Sequence, residues 1–189
     1  MSASEPPAER WSPPVLALHW LSAALILALL ALGAYMTHGF ADAARRFDLY
    51  QLHKSLGFVA LALTLARLGA RGASRAPPPL VSTPAWERRA AALAHGALYA
   101  LTLIAALSGW FVVSSAIVAV PTRFFDLFVI PGIPGVGPVQ FGAATALHFF
   151  VVWLLAGLVA LHIAAALKHR FVDRDAIWSR MAPKRPAGE

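Results

Sequence analysis

With cysteine absent, a metal or cofactor in this chain must be held by histidine, carboxylate or packing alone. That absence excludes disulfides, thiolate metal sites, cysteine-ligated iron–sulfur clusters and covalent c-type haem. The seven histidines are His19, His38, His53, His95, His148, His162 and His169. Two of them, His148 and His162, lie well away from the polar end of "ALHFFVVWLLAGLVALHIAAALKHR", Ala146 to Arg170, a stretch otherwise apolar enough to cross a membrane. An ionisable residue in hydrocarbon is costly and by default points to function. His148 and His162 are fourteen residues apart, which on a helix brings them within ~40° of the same face and ~21 Å apart along it. One helix therefore presents two imidazoles to one core at two depths.

A bare metal ion is a poor match for such an arrangement. A zinc site wants about four ligands, commonly with histidines at i, i+3 or i, i+4, and no two histidines here have that spacing. A haem supplies four nitrogens of its own and asks the protein for two axial ligands. Two histidines from different helices at each depth meet that demand, and filling both axial positions suits the iron to carrying electrons rather than binding oxygen.

The elements that must position these residues are four apolar segments, roughly Val15 to Met36, Leu52 to Leu68, Ala90 to Val120 and Phe141 to Leu167. Each is near or above the ~20 residues of a spanning helix, and backbone groups in hydrocarbon must be bonded within their own segment. The chain is 59% hydrophobic and only 13% charged, which places it outside ordinary soluble domains. The expected fold is therefore all-α, an integral membrane four-helix bundle holding two b-type haems. Its domain covers 15–170, between an N-terminal segment, 1–14, and a basic tail, 171–189. The first segment reads as a retained span, because "ERWSPP" is not a strongly basic leader and no small-residue cleavage site follows it.

Charge sets the orientation. The second connector carries Arg67, Arg71, Arg75, Arg88 and Arg89, and the tail carries Lys168, Arg170, Arg174, Arg180, Lys184 and Arg185. The first connector has Arg45 and Arg46 with Lys54 just beyond, and the third has Arg123. The positive-inside rule places both termini and the second connector in the cytoplasm. The net charge of +7 is thus spent on topology, and with no aromatic-interleaved basic platform, nucleic acid is not an expected partner. The third connector, "VPTRFFDLFVIPGIPGVGP", is expected to lie as a loop on the outer interface.

On this topology His53 and His148 share the outer depth, and His19 and His162 the inner. The same fourteen-residue step leads from His19 to Gly33, from His53 to Arg67 and from His95 to Gly109. Gly33 and Gly109 would face the outer haem, where a side chain would obstruct a ring, or else serve close helix packing. Arg67 would face the inner haem, where propionates need a cation, or else snorkel to the interface. His95 lies at the inner depth, either to orient a propionate or quinone or as a core histidine bonded to a carbonyl. His38 and His169, at the membrane edges, are assigned no role.

The motifs "LHWLSA", "LHKSLG", "AHGALYALTLIAALSGW" and "LHIAAALKHRFVDRDAIWSRMAP" together resemble the prokaryotic cytochrome b561 family over nearly the whole chain. This family belongs to the four-helix di-haem cytochromes b that include membrane subunits of nickel hydrogenases and formate dehydrogenases. The resemblance implies axial ligands on helices I, II and IV, matching His19, His53, His148 and His162. It also implies an oxidoreductase of the bacterial inner membrane, with superoxide as the leading donor and ubiquinone as acceptor. The other class it implies is an electron-transferring anchor that takes electrons from a dehydrogenase-type partner. Lys54, beside His53, with Arg45, Arg46 and Arg123 partly balanced by Asp42, Asp48 and Asp126, could form a positive funnel for an anionic donor. Ordinary snorkelling at the interface is the alternative.

Overall fold

The computed structural model describes residues 10–39, 42–80, 83–118 and 120–182. Four long helices carry the fold: α1 Pro13–His38, α2 Ala43–Ala73, α3 Ala85–Ser114 and α4 Phe141–Lys168. Each is long and apolar enough to cross a membrane. Helix α1 packs on α2, α2 on α3, and α3 on α4, the neighbour order that an up-and-down bundle with antiparallel consecutive helices produces.

The burial pattern is that of a protein whose solvent is lipid. The interior holds small and polar side chains, among them Ser22, Ser55, Thr64, Thr102, Ser108 and Ser115, while Trp86, Leu93, Phe149, Phe150, Trp153 and Leu161 are exposed. A soluble protein could not leave so much contiguous apolar surface open. Small residues inside let helices approach closely, which is how bundles cohere when burial from water no longer drives them together. Thr64 donates to the Ala60 carbonyl and Thr102 to the Leu98 carbonyl, each at 2.7 Å, so these interior hydroxyls are satisfied along their own helices, whereas the Ser22 hydroxyl is buried without a partner.

Helix ends follow local chemistry rather than hydropathy. Two prolines, Pro13 and Pro14, start α1, where a missing N–H costs nothing. Helix α2 begins at Ala43, nine residues before the expected Leu52, because the Asp42 carboxylate accepts the Arg45 N–H at 2.8 Å and caps it. Helix α3 ends at Ser114, short of the expected Val120. There the Ser114 and Ser115 hydroxyls turn back to the Trp110 and Val112 carbonyls, offering the backbone an alternative to further helix.

The third connector departs from the expected loop. It forms an antiparallel hairpin of β1 Thr122–Phe124 and β2 Phe128–Ile130, with Phe124 opposite Phe128. The turn puts Phe125 and Asp126 at φ 48° and 59°, a left-handed conformation that aspartate adopts more readily than most residues and phenylalanine rarely does. Helix α2 holds it in place. The Ser55 hydroxyl stands between the Gln51 carbonyl of its own helix at 3.0 Å and the Arg123 carbonyl at 3.1 Å and accepts from the Phe125 N–H at 3.1 Å, and Gln51 bonds the Pro121 carbonyl and the Arg123 N–H.

The opposite end of the bundle gathers the described parts of the second connector and the described residues nearest the two chain ends. Ser12 bonds Ser74 at 3.0 Å, Arg180 donates to the Pro78 carbonyl at 2.6 Å, and Arg10 bonds the Ala182 carbonyl. The described part of the expected tail is thus folded. A π-helical turn, His169–Asp173, leads to a short α5, Ile177–Met181, and Trp20 Nε1 donates to the Met181 carbonyl at 2.8 Å. Lys184 and Arg185 lie outside the described residues. The described residues nearest the two chain ends, Arg10 and Ala182, thus meet on one side, and Arg180 ties the second connector to them.

Candidate functional site

Two histidine clusters lie at the two depths anticipated from the sequence. At the inner end, where the described residues nearest the chain termini meet, the His19 ring of α1 and the His162 ring of α4 stand 6.3 Å apart between centroids. His95 from α3 stands 5.4 Å from His162 on its other approach. Three imidazoles from three helices thus converge, with His162 common to both contacts. Arg67 joins them from α2: its Nη2 donates to His19 Nδ1 at 2.7 Å, and its guanidinium lies 5.0 Å over the Tyr99 ring.

At the outer end, the end covered by the hairpin, His53 of α2 and His148 of α4 are electrostatic neighbours. Gly33 and Gly109 sit against them. A Cβ at Gly33 would meet His53 Cε1 at 3.4 Å, and one at Gly109 would meet His148 Cε1 at 3.2 Å. Both glycines therefore occupy the outer depth, and what they directly make room for is the imidazoles. Ser108, which sequence reasoning passed over, bonds His148 Nδ1 at 3.0 Å. The signal available for it was a hydroxyl beside Gly109, in an apolar stretch, at the depth of a histidine pair.

Four described side-chain polar atoms are buried without a hydrogen-bond partner, and two of them are His53 Nδ1 and Arg67 Nε. Buried polar groups are ordinarily satisfied, so one orphan at each cluster is a mark of a site that takes something else. The donor set indicates what. Two metal–imidazole bonds of about 2 Å each, with half a ring beyond either, set centroids roughly 6 Å apart, which the His19–His162 separation of 6.3 Å meets. The residues present fit a haem with one histidine on either face.

The outer mouth carries Lys54 and Arg123, which are close enough to interact electrostatically. Arg123 is also paired with Asp126 at 3.0 Å and lies 5.5 Å over the Phe47 ring. Part of the positive charge expected there is thus neutralised locally, and Lys54, half-buried beside His53, is the cation nearest the ligands in sequence. At the inner edge, His169, Asp173 and Asp175 form a tight group. Lys168 already neutralises Asp173 at 2.6 Å, and His169 bonds Asp175 at 2.7 Å, so this group reads as an ion-paired clasp on the π-helical turn. His38 at the outer edge bonds Thr37 and the Ala34 carbonyl of its own helix.

Comparison with known proteins agrees with this geometry. A family model described as prokaryotic cytochrome b561 matches residues 10–184. Cytochrome b561 homolog 2 of Escherichia coli (strain K12) is 34% identical over 177 residues, 93% of each chain. Cytochrome b561 homolog 1 of the same organism is 26% identical over 181 residues, 93% of this chain and 98% of its own.

Proposed function

The chain belongs to the prokaryotic cytochrome b561 family, a multi-pass membrane b-type cytochrome of electron transfer, and from that premise we propose a specific path for it. It takes electrons from a small anionic donor, superoxide, at the outer face of the bacterial inner membrane and delivers them to ubiquinone. The observation that carries this reading is the pair of histidine clusters at two depths of one bundle. His53 and His148 would hold an outer haem b, and His19 and His162 an inner one. Each haem, when bound, supplies a one-electron iron couple at its depth.

The chain's own residues do the rest. Arg67 brings a fixed cation to the inner cluster, where it can pair with a haem carboxylate. Its present hold on His19 Nδ1 bears on that exchange. Arginine can only donate, so His19 keeps its proton on Nε2 while Arg67 is there. If Nε2 is the atom that would hold iron, Arg67 would need another acceptor, and a haem carboxylate would be one. His95 lies within reach of that inner group through His162. At the outer mouth Lys54 and Arg123 raise the local concentration of an anion, while Gln51 and Ser55 fix the hairpin that carries Arg123.

The overall reaction balances. Two superoxide anions each give up one electron and leave as two dioxygen molecules, and ubiquinone takes both electrons with two protons to become ubiquinol. Purified protein mixed with superoxide should show reduction of its b-type bands and, with a ubiquinone analogue added, quinol formation. No reduction by superoxide sinks the stand-alone reading. Reduction that appears only with a dehydrogenase-type partner would make the chain an electron-transferring anchor subunit instead.

A further inference from the structure

We propose that Ser108 is a positioning residue of the outer site, accepting a hydrogen bond from His148 Nδ1–H and so holding that imidazole with its Nε2 lone pair free for a metal. The inference rests on His148 being an axial ligand. It goes further in assigning the tautomer, and the residue that sets it.

The polarity of the bond follows from counting protons. A serine hydroxyl has one hydrogen to donate. Ser108 Oγ lies 3.0 Å from the Ala105 carbonyl oxygen, which can only accept, so the hydroxyl proton is directed there. The same oxygen is 3.0 Å from His148 Nδ1, and with its proton committed it meets that nitrogen as an acceptor. His148 must then carry its single neutral-state proton on Nδ1, which leaves Nε2 bare. Ser108 is only 4% exposed, so water does not compete for the bond.

The two residues that follow reinforce the hold. Gly109 faces Cε1, the ring carbon between the two nitrogens, with 3.2 Å between that carbon and where a Cβ would stand. The imidazole can therefore lie flush against α3. Trp110 Nε1 donates to the Pro131 carbonyl at 3.0 Å, tying the same turn of α3 to the outer connector. "SGW" thus contributes an orienting acceptor, a clearance and an anchor in three consecutive residues.

An acceptor on the far nitrogen raises the basicity of a ligating histidine, and its removal commonly costs about 10–100-fold in metal affinity. The test uses the full purified chain as wild type, Ser108→Ala, Ser108→Thr and His148→Ala, with haem content and a spectroscopic redox titration of each. The outer haem is identified as the one missing from His148→Ala. In Ser108→Ala its midpoint potential should rise, because a less basic ligand stabilises ferric iron less, and its retention should weaken about 10–100-fold with the inner titration unmoved. Ser108→Thr, which keeps a hydroxyl, should restore both. An unchanged outer potential in Ser108→Ala, an equal disturbance of both haems, or a threonine variant that behaves like alanine would each overturn the role. Retention of both haems in His148→Ala would instead overturn the ligand assignment beneath it, so the two failures are distinguishable.

Discussion

On the assignment proposed for Ser108, His148 gives its Nδ1 proton to that hydroxyl at the outer cluster, whereas at the inner cluster His19 receives a hydrogen bond on Nδ1 from Arg67. The two ends of one bundle thus hold the same residue type in opposite tautomers. At the outer site Gly33 and Gly109 lie against the histidine rings, and the cations Lys54 and Arg123 stand at the mouth, with no hydrogen bond to either ring among the described residues. The inner site holds a cation, Arg67, bonded to one of three converging imidazoles. The difference has a direction. An acceptor behind an axial histidine favours ferric iron and lowers a potential, while a buried cation beside a haem disfavours the extra positive charge of the ferric state and raises it. Both biases run downhill from the outer end to the inner, the direction an outer donor and a quinone acceptor require.

The comparison can be broken most decisively at the ligands. Replacing His162 by Ala should remove the inner haem and spare the outer, and replacing His148 by Ala should do the reverse; haem content per chain checks both. A chain that keeps the inner haem without His162 would show that His95 and His19 form the working pair. Next in size is Arg67→Leu, expected to weaken the inner haem and lower its potential by tens of mV, the equivalent of roughly 1–2 kcal/mol for one charge-assisted hydrogen bond. Its sign is opposite to that expected for Ser108→Ala at the outer site, and a shift in the same direction would refute the electrostatic asymmetry.

The histidine framework was legible in the sequence because it depends on two quantities that a sequence carries directly, hydropathy and the angle per residue of a helix. That is why the depth of His19, His53, His95, His148 and His162 could be assigned, and why the fourteen-residue step placed Gly33, Gly109 and Arg67 at the correct ends. The hairpin was not legible. Its turn uses Phe125 and Asp126 rather than the Asn-Gly or Asp-Gly that announces such turns, and its stability comes from Ser55 and Gln51, some seventy residues away. Ser108 escaped for a related reason, since its role lies in the direction of a hydrogen bond to a residue forty positions on. The starts of helices were misjudged where polar turns such as "ARRFDLY" lie beyond the apolar window yet remain helical under the Asp42 cap.

Smaller perturbations sharpen the same contrast. Gly109→Ala brings a methyl to 3.2 Å from His148, tight enough to shift the ring, whereas Gly33→Ala at 3.4 Å from His53 makes ordinary contact. The first should cost about 1–2 kcal/mol and perturb the outer haem band; the second should cost less. Thermal unfolding and the reduced spectrum compare them. The smallest effect is expected at the mouth. Lys54→Gln should slow reduction by an anionic donor several-fold at low salt and flatten its ionic-strength dependence, with both haems and their potentials retained. A stopped-flow series over salt concentration reads this, and an unchanged slope would remove Lys54 from the anion path.

The central claim, two haems held at two depths by histidines of one bundle, is tested most directly by a pyridine haemochrome count per purified chain combined with a potentiometric titration of the reduced-minus-oxidised spectrum. The account predicts two haems b per chain, titrating as two one-electron steps with the outer haem at the lower potential. A single haem per chain, or an absence of b-type bands, would contradict it.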